Sequence, residues 1–221
     1  MLILYLLGAA LSGVGIGLLV GRSRWRRALD YPAMRLGAIG MVADQLPKGG
    51  TLLLGDSLLE HCHFDEPDII NAGASFATIA HVAAVAPRLI ATVRPKTTLL
   101  CIGPNDLQRG EADFERRYAD LVGLCDSPRL ILVGIPNQPE ASVFIAGLAD
   151  RLGAAYIPPI FGDGLTVDRM GHQTAAGGEA FRQRIRHAVA EAGAAAIPAP
   201  AALSRSRPVE WEYRQEAEHR G

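Results

Sequence analysis

Four short stretches of the chain carry side chains of the kind that nucleophilic catalysis uses. Gly55-Asp56-Ser57 follows the apolar run Thr51–Leu54 and leads straight into a helical pattern. The Ser57 hydroxyl therefore falls at the carboxyl end of a strand and the amino end of a helix, where open α/β sheets place their chemistry. Serine is also a favoured helix cap and Gly-Asp is ordinary turn chemistry, so this stretch has two readings, a cap and a nucleophile. Asn71-Ala72-Gly73-Ala74-Ser75 offers at Gly73 a backbone N–H that a ligand can approach with no Cβ in the way, and Ser75 reads as a helix cap. Gly103-Pro104-Asn105-Asp106 adds the Asn105 amide as a donor toward the same point, with Asp106 holding its loop. Asp168-Arg169-Met170-Gly171-His172 sets an acid and a histidine close together before the last helical pattern. A serine hydrolase needs a nucleophile, a base, a group that orients the base and donors for the oxyanion; these stretches hold a candidate for each.

The elements that must position them alternate. Strand patterns fall at Leu52–Leu54, Asp68–Asn71, Thr97–Ile102, Arg129–Gly134 and Ala154–Ile157, and helical patterns begin near Ser57, Ser75, Ala112, Pro139 and Thr174. Short apolar strands separated by helices predict an α/β fold, a doubly wound, flavodoxin-like parallel sheet of about five strands covered on both faces. A dinucleotide site is excluded, because the first strand runs into Gly-Asp-Ser and not into a G-x-G-x-x-G turn.

The formal charge of −1 over 221 residues argues against a nucleic-acid-binding surface. Cys62, Cys101 and Cys125 are an odd, scattered set, read as reduced core thiols. His61, Cys62 and His63 lie at adjacent and alternate helix positions, which diverge around the axis, so no metal site is expected there. His81 and His187 fall in helical patterns and read as surface or satisfied histidines.

Residues 2–20 contain no charge, and as a helix they would reach roughly the 30 Å of a bilayer core. They lack the basic leader and small-residue cleavage site of a signal peptide. The expectation is a single transmembrane anchor over 1–21. Gly13, Gly17 and Gly21 on one face allow a weak helix–helix self-association. Arg22, Arg24, Trp25, Arg26 and Arg27 follow at once, and by the positive-inside rule they predict a catalytic domain in the cytoplasm. Residues 22–49 are then a basic juxtamembrane segment and a lead-in helix over Asp30–Gln45, stopped by Pro47-Lys48-Gly49-Gly50. The main domain covers 50–192, and an Ala/Pro-rich, then charged, tail covers 193–221.

On these residues the chain resembles the SGNH (GDSL-type) hydrolase family. Gly55-Asp56-Ser57-Leu58 matches its first block, Gly73 its second, Gly103-Pro104-Asn105-Asp106 its third and Asp168 through His172 its last, over about residues 50 to 190. The resemblance implies Ser57 as nucleophile, His172 as general base and Asp168 as the acid that orients His172. It implies an oxyanion hole made of Ser57 N–H, Gly73 N–H and the Asn105 amide, with no metal and no organic cofactor. Ser57 would serve as both helix cap and nucleophile. One departure stands out: Asp168 is four positions before His172 where the family has three, and Arg169 fills the third. The implied activity is a membrane-anchored serine esterase or lipase-like enzyme acting on a small-molecule or lipid ester. Acyl transfer or thioester cleavage would use the same residues. A degenerate, membrane-tethered binding module is the non-enzymatic alternative.

Overall fold

A computed structural model describes residues 31–160, 164–167 and 171–194. The expected membrane helix at 1–21, the basic segment up to residue 30, Asp168 and the tail from residue 195 lie outside the described residues.

The apolar runs form one five-stranded parallel sheet: β1 (Thr51–Gly55), β2 (Ile69–Gly73), β3 (Thr97–Cys101), β4 (Arg129–Val133) and β5 (Ala155–Ile157), in the order β2-β1-β3-β4-β5. This is the expected flavodoxin-like order, in which the chain leaves β1 toward one side and returns on the other, opening a crevice at the carboxyl end of β1. Register aligns the exits. Gly55 lies opposite Gly73 of β2 and Cys101 of β3, so the loops after the first three strands emerge side by side.

Seven helices are described: α1 (Tyr31–Met41), α2 (Ser57–Glu60), α3 (Ile79–Val93), α4 (Pro104–Gln108), α5 (Phe114–Leu124), α6 (Pro139–Leu152) and α7 (Ala175–Ala194). Strand alternation divides them into two layers. Leu52 and Leu54 of β1, Leu100 of β3 and Leu132 of β4 pack with α1, α3, α5 and α6, whereas Leu53, Leu99, Cys101, Ile131 and Val133 face α2 and α7. The three cysteines are buried and free, as their scatter suggested.

Three boundaries differ from the sequence reading. The lead-in helix stops at Met41, with only a 3-10 turn at Ala43–Gln45 beyond it. The helix expected to open near Ser75 opens at Ile79, capped by Thr78, because His81 Nδ1 reaches back to Thr78 N–H at 3.1 Å and completes a capping box that Ser75 could not form. Helix α4 was not expected, since Gly103-Pro104 reads as a turn; Pro at the first helical position starts a helix as readily as it ends a strand.

Candidate active site

Ser57 is the first residue of α2, and it is not the cap. Asp56, in extended conformation, takes that place and its Oδ1 accepts from Leu58 N–H at 3.0 Å. The division matters chemically, because a capping serine points its hydroxyl at its own helix, whereas Ser57 is left to turn outward. Its Oγ lies 2.9 Å from His172 Nε2, across 115 residues of sequence. Asp56 is 1% exposed, its Oδ2 has no partner among the described residues, and burial pushes its carboxyl up to about 7. Leu58 N–H and the nearby His172 offset part of that cost.

His172 is held by a small antiparallel link. Val167 N–H donates to His172 O at 2.7 Å, Thr174 N–H donates to Leu165 O at 3.0 Å, and Thr166 bridges Gln173. Thr174 Oγ1 then accepts from Gly177 N–H at 3.1 Å and starts α7. Just before the histidine, Gly171 adopts φ +83°, and a Cβ there would lie 2.4 Å from Pro136 Cβ. Only glycine fits both demands. The residue that lengthens the acid-to-histidine spacing is thus the one that can turn the chain left-handed. The His61 ring stands edge-on to His172 with centroids 6.5 Å apart, a neighbour that the sequence did not suggest.

The loop after β2 is tied down at almost every group. Asn71 Nδ2 donates to Leu59 O at 2.7 Å and Cys62 O at 2.8 Å, and its Oδ1 accepts from Gly73 N–H at 2.9 Å. The N–H expected to face an oxyanion is therefore engaged inside the protein. What Gly73 supplies is room, since a Cβ would sit 2.4 Å from Glu60 N. Gly73 O accepts from Arg35 Nε at 2.6 Å, and Ala74 N–H donates to Gly55 O at 3.0 Å. Glu60 accepts from Ser75 N–H and from the Tyr31 hydroxyl, with Arg35 Nε 3.2 Å away. Burial raises the Glu60 carboxyl, but these donors outweigh it and leave it below the usual carboxylate range. Phe76 follows, exposed and in the left-handed region at φ +65°, and no described residue accepts from its N–H.

The loop after β3 reaches across to the same turn. Asn105 Nδ2 donates to Ala77 O at 2.9 Å, which uses one amide hydrogen and leaves the other. Asp106 holds more than its own loop: its carboxylate accepts from Ile79 N–H at 3.0 Å and pairs with Arg117 at 3.1 Å, fixing the start of α3. Burial nevertheless pushes its carboxyl up. Ser57 and His172 thus meet at the rim of the sheet where the loops that carry Gly73 and Asn105 also emerge. Asn71, Glu60, Arg35 and Phe76, which shape that rim, were missed. An asparagine at the second-block position was the one available signal. Among the described residues, no three His, Cys, Asp or Glu side chains group as metal ligands.

No family model and no curated protein matches the chain. Solved structures do. A GDSL-like lipase from Bacteroides thetaiotaomicron superposes with a TM-score of 0.62 at 13% identity, over 71% of this chain and 98% of that one. An acetyl xylan esterase from Geobacillus stearothermophilus gives 0.53 at 14% identity, over 66% and 96%. An α/β hydrolase from the metagenome of Lake Arreo, Spain, gives 0.52 at 14%, over 66% and 96%. The fold is the one found in GDSL-like hydrolases, the same group that the four blocks of residues resemble.

Proposed function

We propose that this protein is a serine ester hydrolase held at a membrane by its N-terminal segment. The observation that carries the reading is the 2.9 Å contact between Ser57 Oγ and His172 Nε2 at the carboxyl rim of the sheet. His172 Nε2 takes the Ser57 proton as Oγ attacks the acyl carbonyl, and returns it to the departing alcohol. Water, activated by the same nitrogen, then releases the acid from the acyl-serine. Charge on the tetrahedral oxygen is met by Ser57 N–H at the start of α2 and by the second Asn105 amide hydrogen, with Phe76 N–H the uncommitted backbone donor of the adjacent loop. Asp168, four residues before the histidine, orients it in this reading. The names of the structural neighbours, lipase and acetyl xylan esterase, support an ester substrate.

Two experiments test it. Purified wild-type protein turns over short nitrophenyl esters and is labelled by a fluorophosphonate, while Ser57→Ala does neither; equal turnover by the two proteins would refute the assignment. Asp168→Asn lowers turnover if Asp168 orients His172, and unchanged turnover removes it from the mechanism. The uncharged run 2–20 with its following arginines supports a single-pass anchor with the domain in the cytoplasm. A reporter at the C-terminus that behaves as periplasmic overturns that side.

A further inference from the structure

Helix α1 is short of charge on the side that faces out. Its buried residues are Pro32, Leu36 and Gly40, and its exposed ones are Ala33, Met34, Ala38 and Met41, followed by Val42. Met34 is 61% and Met41 70% exposed, one helical face seven positions apart. Its one charged residue, Arg35, turns inward to Glu60 and Gly73 O. By contrast α5 shows Glu115, Arg116 and Asp120 outward, α7 shows Glu179, Arg184 and Glu191, α6 shows Glu140, Asp150 and Arg151 beside Val143, and even the Ala-rich outward side of α3 carries Arg88. Of the described helices of eight residues or more, α1 is the one with no charged residue among its exposed positions, and an outward face of that kind admits an apolar occupant.

The chain just before α1 says which. Residues 2–20 are uncharged and long enough to span a bilayer, and four arginines with Trp25 follow at 22–27. Only Ala28, Leu29 and Asp30 separate Arg27 from Tyr31, a link that reaches on the order of 10 Å when extended. A helix so tethered lies within reach of the headgroup layer along its whole length, about 16 Å for eleven residues. We propose that α1 docks on the bilayer surface, with Met34, Met41 and Val42 entering the headgroup–acyl boundary. Interfacial helices bind in this way, apolar face down and basic residues against anionic lipid. The opposite side of α1 bonds to Glu60, three residues after Ser57, and to the Gly73 carbonyl. Docking therefore holds the loops that flank Ser57 one helix diameter, roughly 10 Å, from the interface, and it favours esters that emerge from the lipid.

The inference rests on the anchor and esterase reading, but its test is separable from both. Full-length Met34→Cys, Met41→Cys and Val143→Cys proteins are labelled with an NBD fluorophore. The native cysteines are buried and compete little, and Val143, 73% exposed on α6, serves as the water reference. In vesicles of phosphatidylcholine and phosphatidylglycerol, the labels at 34 and 41 shift to the blue and are quenched by doxyl lipids several-fold more than the label at 143, and they resist iodide. Labels at 34 and 41 that behave like the one at 143 overturn the proposal. So does resistance to iodide without lipid quenching, which would mean that a second copy or the chain's own N-terminal segment covers the face. In the functional arm, a Met34→Glu/Met41→Glu double variant keeps its turnover of a soluble short ester and loses several-fold on a long-chain fluorogenic ester embedded in vesicles; equal loss on both counts against docking. Absence of any turnover in wild type would sink the esterase reading and leave the fluorescence result intact. Release of the protein by carbonate, with 34 and 41 lipid-quenched beforehand, would retire the anchor and keep the surface.

Discussion

The two halves of the Ser57–His172 pair are built differently. On the serine side, three adjacent parallel strands end in register and their loops are cross-tied by Asn71, Glu60, Arg35, Asn105 and Asp106. On the histidine side, backbone bonds from Val167 to His172 and from Thr174 to Leu165 flank the base, which follows a left-handed glycine. The nucleophile is a property of the sheet, and the base is a property of a loop. Strand β1, buried on both faces, resists displacement because moving it disrupts two ladders, whereas His172 lies outside the sheet, where Val167 N–H donates to its carbonyl. Stability and activity should therefore separate across the site.

The largest effect tests whether the halves act as one unit. Ser57→Ala and His172→Ala should each lower kcat by roughly a thousandfold or more, and the double variant should fall little further, as expected of groups that work together. A multiplicative double effect would mean that His172 acts elsewhere. Next come the two glycines. Gly73→Ala forces a Cβ against backbone at 2.4 Å and should cost about 2 kcal/mol or more, read as a fall in Tm of roughly 5 °C. Gly171→Ala should cost less stability yet lower kcat about tenfold or more, by displacing His172. Equal thermal losses in the two variants would erase the contrast.

Glu60→Gln probes the ties themselves. It weakens the bonds from Arg35, Tyr31 and Ser75 N–H at once, and charge-assisted bonds of this kind contribute about 1.5–3 kcal/mol. The expected result is a stability loss on that scale, with a several-fold fall in kcat and little change in KM, because the loop beside the nucleophile loosens. The smallest effect concerns pH. Asp56 holds its proton up to about 7 in the fold, against an ordinary 3.8. Between those values the folded chain binds a proton that the unfolded chain has released, so this residue's contribution falls as pH rises from about 4 to about 7 and is flat above. Asp56→Asn should remove the slope: its Tm, compared with wild type, should gain between pH 5 and pH 8. Parallel Tm curves would show that Asp56 is ionised throughout.

Much of this was legible beforehand because it is local. Leu52–Leu54 and Thr97–Ile102 read as strands, Pro139 marked the start of α6, and Gly55-Asp56-Ser57 marked a strand-to-helix turn. The misreadings and the omission of Phe76 share one cause. Whether Asp56 or Ser57 caps α2, whether Gly73 N–H faces outward or toward Asn71, and whether Phe76 sits at positive φ depend on contacts made by other segments. Phe is disfavoured in the left-handed region, so nothing in its own identity announces that conformation.

The sequence by itself determined the sheet, its parallel sense, the order of the chemical blocks along it, and an uncharged segment ahead of a run of arginines. Those follow from composition and period, which need only neighbours in the chain. Tertiary structure alone decided that Ser57 meets His172 across 115 residues, that Gly171 turns the histidine loop, and that Arg35 on α1 reaches the carbonyl of Gly73. Each of these is a contact between distant segments, set by strand register and by the competition of several donors for one acceptor. The same distant contact that turns Arg35 inward leaves the other face of α1 apolar.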